Sequence, residues 1–149
     1  MMMKKLPSAV LFACTENSIR SPMAEGILKH FQGHRVYVDS VGVRKGKIDG
    51  FAIAVMEETG IDIAQHKSKA FSDLEDTSYD LVISLSPEAQ HSAVELTRFM
   101  SCEVLFWNTF DPSIAHGSRE VRLEAYRQVR DTLENKIKEL FPPEGDVNL

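Results

Sequence analysis

Ala9-Val10-Leu11-Phe12-Ala13-Cys14-Thr15-Glu16-Asn17-Ser18-Ile19-Arg20-Ser21-Pro22-Met23 is the stretch that decides how this chain folds. Ala9 to Ala13 is a short unbroken apolar run bounded by polar residues, the pattern of a strand buried on both faces. Ser21-Pro22 sets an N-cap residue before proline at the first helical position, and Met23, Ile27, Leu28 and Phe31 continue an apolar helix face. Strand, loop and helix therefore follow one another, with a cysteine at the strand's end and an arginine at the helix mouth.

The same alternation recurs downstream. Val36-Tyr37-Val38 reads as a second strand leading into Ser40-Val41-Gly42, and Lys45 to Gly50 as an exposed turn. A helix from about Phe51 to Thr59 ends at Gly60, a C-cap residue. After Ser72 to Ser78, which carries a turn or more of helix, Leu81-Val82-Ile83-Ser84 is a third strand. Pro87 opens a helix running to about Phe99, Glu103 to Phe106 is a fourth strand, and Arg119 to Leu140 is a long amphipathic helix with Leu123, Tyr126, Val129, Leu133, Ile137 and Leu140 on one side. Alternating strands and helices predict an α/β fold: a three-layer sandwich in which a four-stranded parallel sheet is flanked by helices on both faces, with ligand sites beyond the carboxyl ends of the strands.

The 149 residues, 43% of them hydrophobic, suffice for one core and leave no room for two ordinary domains. One domain over 1–149 is expected, with 142–149 a loose tail. A net charge of -5 argues against a surface built to neutralise nucleic-acid phosphates. The apolar stretch from Ala9 to Ala13 is too brief for a signal-peptide core or a membrane span, so a cytoplasmic protein with no membrane partner is expected. Two cysteines, Cys14 and Cys102, do not make a disulfide framework.

The loop from Cys14 to Ser21, comprising Cys14, Thr15, Glu16, Asn17, Ser18, Ile19, Arg20 and Ser21, is where chemistry is expected. Backbone N–H groups of a tight loop feeding a helix N-terminus converge on one centre and favour an anion there. Arg20 adds a planar fork matched to two phosphate oxygens. The same field favours a thiolate at Cys14, so nucleophile and anion site coincide and in-line attack would form a phosphocysteine. Asp111-Pro112, just beyond the fourth strand, places a carboxylate at the same sheet edge. It is suited to protonate the leaving oxygen and then to activate water.

These residues resemble the low-molecular-weight protein tyrosine phosphatases and the related arsenate reductases that share their fold. The resemblance spans nearly the whole chain. It is anchored on Cys14 with Arg20-Ser21-Pro22-Met23-Ala24-Glu25, then Asp39-Ser40-Val41-Gly42, Gly60-Ile61-Asp62 to His66-Lys67, Tyr79-Asp80-Leu81-Val82-Ile83, and Asp111-Pro112. It implies Cys14 as nucleophile, Arg20 as phosphate clamp, Asp111 as general acid and base, and Ser21 as hydroxyl partner of the sulfur. It further implies that Asn17, Ser40 and His66 support the loop through hydrogen bonds. No metal and no cofactor are implied.

Several positions depart from the family's pattern. Glu16 stands where glycine is common, and its carboxylate opposes bound phosphate unless it points to solvent. Ile19 replaces a second cysteine found beside the arginine in many relatives. Ser113 and Arg44-Lys45 stand where aromatic residues are expected. Asp111 to Asp131 is closer to the thioredoxin-coupled arsenate reductases, yet the positions of their two resolving cysteines read here as Ser86 and Ala93. Cys102 is expected to pack rather than react, and His66 to be a satisfied structural histidine. His30, His34, His91 and His116 show no ligand spacing.

Three functions are consistent with these features. The first is a metal-independent phosphatase acting on a phosphorylated protein or small phosphomonoester. The second is an arsenate reductase relying on an external thiol such as glutathione or mycothiol. The third is a phosphate-binding module without catalysis.

Overall fold

The computed structural model describes residues 6–75 and 78–142. Of the expected terminal tail only Pro142 is among them; 143–149 lie outside the described residues. Four parallel strands, β1 (Ala9–Cys14), β2 (Tyr37–Gly42), β3 (Leu81–Ser84) and β4 (Glu103–Phe106), form one sheet in the order β2-β1-β3-β4. Four helices connect and cover them: α1 (Arg20–Gln32), α2 (Gly50–Glu57), α3 (Pro87–Leu96) and α4 (Arg119–Leu140). Short 3-10 turns at Phe71–Asp73 and Pro112–Ile114 complete the set.

Alternation along β1 explains the layering. Val10 and Phe12 enter a core shared with Met23, Ile27 and Leu28 of α1, Val55 and Met56 of α2, and Leu123, Tyr126 and Leu133 of α4. Leu11 and Ala13 point the other way, into a smaller core with Val41, Val82, and Ala89 and Ala93 of α3. Every residue from Val10 to Ala13 is fully buried, as a central parallel strand covered on both sides requires. Burying a side chain the size of Phe12 contributes about 1.5–3 kcal/mol. The expected fold class is the observed one.

β1 pairs with β2 on one side, Cys14 opposite Gly42, and with β3 on the other, Ala13 opposite Ser84. The connection from β1 leads to one neighbour and the return to β3 leads to the other, so the order reverses beside β1. The crevice beyond a reversal of this kind is the usual ligand site of open α/β sheets, and Cys14 stands at its base.

The helix starts and stops differ instructively from the expected ones. Ser86, Asp49 and Ser118 cap α3, α2 and α4 with their side chains. Ser21 does not cap α1. The helix begins at Arg20, its N-cap position is Ile19 with no side-chain cap, and Ser21 lies inside the first turn with its hydroxyl committed elsewhere. Of the first-turn positions, Pro22 has no N–H, Ser21 turns its N–H to Cys14 Sγ and Met23 bonds Ile19 O, so the Arg20 N–H is the one left for a ligand. α3 stops at Leu96 rather than near Phe99, its end continuing as turns through Met100.

Candidate active site

Residues 15–19 join β1 to α1, and their geometry follows from where the carbonyls go. Val43 N–H donates to Cys14 O (3.0 Å), Arg44 N–H to Thr15 O (2.9 Å), Gly46 N–H to Glu16 O (2.8 Å) and Asp49 N–H to Ser18 O (3.0 Å). Ser68 Oγ donates to Asn17 O at 2.7 Å. In a planar trans peptide the N–H points opposite to the C=O, so tying these oxygens outward turns the following N–H groups toward the loop's centre. The segment after β2 can lie this close only because position 42 is glycine: a Cβ there would come 2.5 Å from Arg44 O and 2.7 Å from Asn17 N.

Asn17 is the loop's keystone residue, fully buried and held at φ 54°, in the left-handed region. Its side-chain amide explains the conformation. Nδ2 donates to Ser21 Oγ (2.8 Å) and Ser40 Oγ (2.9 Å), while Oδ1 accepts from Lys69 N–H (2.9 Å) and from His66 Nε2 (2.9 Å). An amide oxygen only accepts, so His66 carries its proton on Nε2. Burial lowers the His66 pKa below its ordinary value, against the opposing pull of Glu25. The imidazole is therefore neutral at pH 7.

Directions in this network can be assigned. Ser40 Oγ donates to Glu25 Oε1 at 2.5 Å, leaving its lone pairs to Asn17. Ser21 Oγ accepts from Asn17, and its own proton has two acceptors in reach, Cys14 Sγ at 2.9 Å and Val41 O at 3.3 Å. Ser21 N–H also approaches the sulfur, at 3.4 Å. Cys14, only 2% exposed, thus forms the floor of the site with the Ser21 hydroxyl and N–H beside its sulfur.

Above it opens a cavity of about 470 Å³, whose lining includes Thr15, Ser18, Arg20 and Asp111. Arg20 donates from Nη1 to Thr109 O (3.0 Å) and from Nη2 to Thr15 Oγ1 (3.4 Å), tying the loop to the segment that carries Asp111. Thr15 Oγ1 in turn donates to Ser86 Oγ at 3.0 Å. Ser113 donates to Asp111 Oδ1 from both its N–H (3.0 Å) and its hydroxyl (2.7 Å), so Oδ2 is the oxygen the turn does not use. Asp111 is both a turn former and a wall of the cavity.

The outer walls are charged, with Glu16, Arg44, Lys47, Asp49 and Glu88. Glu16 is exposed, and its Oε1 lies beside Gly46. Ile19 is buried in the larger core. Among the described residues no group of side chains could hold a metal ion, and no helix is long and apolar enough to cross a membrane.

The family model for low molecular weight phosphotyrosine protein phosphatase matches residues 9–147. The chain belongs to that family. It is 32% identical over 130 residues to an arsenate reductase of Bacillus subtilis, covering 87% of this chain and 92% of the relative. It is 34% identical over 134 residues to a glutaredoxin arsenate reductase of Synechocystis sp., covering 89% and 95%. Among solved structures, a low molecular weight protein tyrosine phosphatase from T. tengcongensis superposes with a TM-score of 0.73 at 28% identity, over 89% of this chain and 97% of that one. The chain is accordingly a cysteine-based enzyme of a family whose members carry both names.

The structure brings Cys14, Arg20 and Asp111 to one cavity and joins Asn17, Ser40 and His66 in one hydrogen-bonded group. Cys102 is far away. It precedes β4, level with the start of β1, while Cys14 ends β1; strand geometry puts them roughly 19 Å apart. No disulfide spans that distance, and burial pushes the Cys102 thiol pKa up. Glu25, which accepts from Ser40 Oγ, belongs to the group of Asn17, Ser40 and His66 although the sequence reading gives it no role. Its signal was its place four residues after Ser21, which puts both on the same helix face.

Proposed function

We propose that the chain is a metal-independent phosphatase that hydrolyses phosphomonoesters, protein phosphotyrosine among them, through a phosphocysteine on Cys14. The observation that carries this reading is the coincidence of the inward N–H groups of residues 15–19 with the Ser21 donors to Cys14 Sγ, since it puts an oxyanion cradle and a stabilised thiolate on one axis. Arg20, released from Thr109 O, supplies the fork for two phosphoryl oxygens. Cys14 Sγ attacks phosphorus as the P–O ester bond breaks, and Asp111 passes its proton to the leaving oxygen. Asp111 then takes a proton from water, whose oxygen displaces the sulfur and yields inorganic phosphate and the free thiolate. The substrates fit a cytoplasmic setting and involve neither nucleic acid nor membrane.

The test is turnover of para-nitrophenyl phosphate in chelator between pH 5 and 7, with Cys14→Ser abolishing it. Binding of phosphate by calorimetry without turnover would instead make this a phosphate-binding module.

A second reading, thiol-dependent arsenate reduction, is favoured by the identity to arsenate reductases over most of the chain. Arsenate would enter the same cradle, and Cys14 would displace an oxygen from arsenic. Cys102 lies too far to resolve the adduct, so an external thiol would attack Cys14 Sγ. Arsenite would leave with the electron pair and a mixed disulfide would remain for a second thiol to reduce. Arsenite release that requires added glutathione, mycothiol or glutaredoxin supports it, and none with any of these rules it out.

A further inference from the structure

The start of α4 carries two arginines without a carboxylate partner. Among the described residues, the guanidinium groups of Arg119 and Arg122 make no ion pair and no hydrogen bond, whereas every other arginine meets an oxygen of another residue. Both lie instead over the ring of Phe51, with Cζ 5.6 Å and 4.7 Å from its centroid. Residues three apart share a helix face, so one ring gathers both charges on one surface. The acidic residues of the same helix segment are engaged elsewhere, since Glu120 and Glu124 contact Arg127. The placement is also unfavourable within α4. Cations are stabilised near a helix C-terminus and opposed at its start, where the dipole is itself positive, yet Arg119 opens the helix and Arg122 follows three residues on. Local preferences are broken in this way chiefly where a side chain serves something outside the fold.

The pair adjoins the active site. Phe51 N–H donates to Asp49 Oδ1 at 2.8 Å, and Asp49 is a wall of the cavity above Cys14. Tyr126 packs edge-on against Phe51, ring centroids 5.4 Å apart, and donates its hydroxyl to Asp49 Oδ2 at 3.2 Å. Burial raises the Tyr126 pKa, Asp49 and Asp111 raise it further, and Arg122 acts in the opposite direction. Arg122 thus shares one neighbourhood with both carboxylates. Asp49 is committed to two N–H groups of α2 and to Tyr126, which leaves the arginines unpaired. Lys47, a cavity wall two residues before Asp49, likewise has no ion pair among the described residues, whereas Arg44 is neutralised by Glu88.

We propose that Arg119 and Arg122 form a docking patch for carboxylates that flank the phosphorylated residue of a protein substrate. The inference rests on the reading of Cys14 as the nucleophile of a phosphatase. A planar guanidinium already fixed over a ring loses little freedom when it takes a carboxylate in its fork. A chain leaving the cavity over Asp49 and Phe51 meets both forks, and three extended residues span about 10 Å. A nucleic acid or an anionic membrane calls for a broad basic face, which a net charge of -5 does not supply.

The experiment measures binding by fluorescence anisotropy, with Cys14→Ser as the background so that no turnover is required. Two phosphotyrosine peptides of equal length are compared, one with glutamate and one with glutamine at the three positions on each side. The glutamate peptide is expected to bind about three- to tenfold more tightly at low salt, the range of one or two exposed charge pairs, and the difference to shrink in about 0.5 M salt. Arg119→Gln/Arg122→Gln should abolish the difference, and Arg119→Lys/Arg122→Lys should keep most of it. Lys136→Gln/Lys138→Gln removes two cations about 20 Å further along α4 and should keep it in full. Equal binding of the two peptides, or binding of neither, overturns the proposal. So does a preference that survives Arg119→Gln/Arg122→Gln or is lost equally in Lys136→Gln/Lys138→Gln. Thermal unfolding identifies a variant that does not fold, and Arg119→Gln and Arg122→Gln alone then decide. With Cys14 restored, turnover of para-nitrophenyl phosphate, which has no flanking residues, is expected to be the same with and without the two arginines. Its absence in wild type would defeat the proposed function, so the two readings fail on separate measurements.

Discussion

Replacing Asn17 with alanine removes four hydrogen bonds at once, those to Ser21, Ser40, Lys69 and His66. Each net bond in such a setting contributes about 1 kcal/mol, and more where its buried partner is left unsatisfied. The backbone at φ 54° adds a further penalty, because alanine lacks the local hydrogen bonding that lets asparagine occupy the left-handed region. The sum is about 5–6 kcal/mol, a large part of the stability of an ordinary domain. Urea unfolding at pH 7 measures it. Asn17→Asp separates shape from polarity: it tolerates the same backbone and keeps Oδ1, yet presents an acceptor to Ser21 and Ser40 where a donor stood. Both variants are expected to lose at least tenfold in kcat/KM on para-nitrophenyl phosphate, with Asn17→Ala the less stable. A stability loss below about 1 kcal/mol, within the range of an ordinary surface change, together with unaltered turnover, would refute the idea that this amide organises the loop.

Asp111→Asn is expected to lower kcat about 10²- to 10⁴-fold on an alkyl phosphate with a poor leaving group and much less on para-nitrophenyl phosphate; equal losses on both would remove Asp111 as the proton donor. Gly42→Ala forces a Cβ to within 2.5 Å of Arg44 O, so a loss of about 1–3 kcal/mol and weaker phosphate binding should appear together in unfolding and calorimetry. His66 titrates below its ordinary value because of burial. The unfolded chain therefore binds its proton first, and stability that is full above pH about 6.5 declines as the pH falls from there toward the lower native value. Unfolding free energies measured from pH 7 to 5 should show this decline in wild type and a flatter profile in His66→Gln.

The parts of the fold legible in the sequence are those governed by local pattern. β3, β4 and α4 have the bounds their residue patterns predict, because Leu81–Ser84 and Glu103–Phe106 are short distinct runs and the α4 stripe persists over many turns. The start of α1 differs from the sequence expectation for a physical reason: capping rules assume that a helix satisfies its first N–H groups with a side chain, whereas Ser21 serves the sulfur and Val41 O instead. Glu16 shows the same limit. Its identity suggested repulsion within the loop, but its placement beside Gly46 depends on the segment after β2. That Cys14, Arg20 and Asp111 share one cavity is what spacing and strand ends predict. Ser86 and Thr109 could not be read, since their contacts with the site join residues far apart along the chain.

The five outward-tied carbonyls of residues 14–18 carry one more implication. A loop braced on its outer rim is a stiff mould for tetrahedral oxyanions, selecting by shape and charge and blind to the central element. Phosphate and arsenate would be held alike, and their fates would part only afterwards, when water or a thiol reaches the occupied sulfur. The balance between hydrolysis and reduction would then be a race between two incoming nucleophiles, with its outcome set by the thiol concentration of the surroundings as much as by the protein.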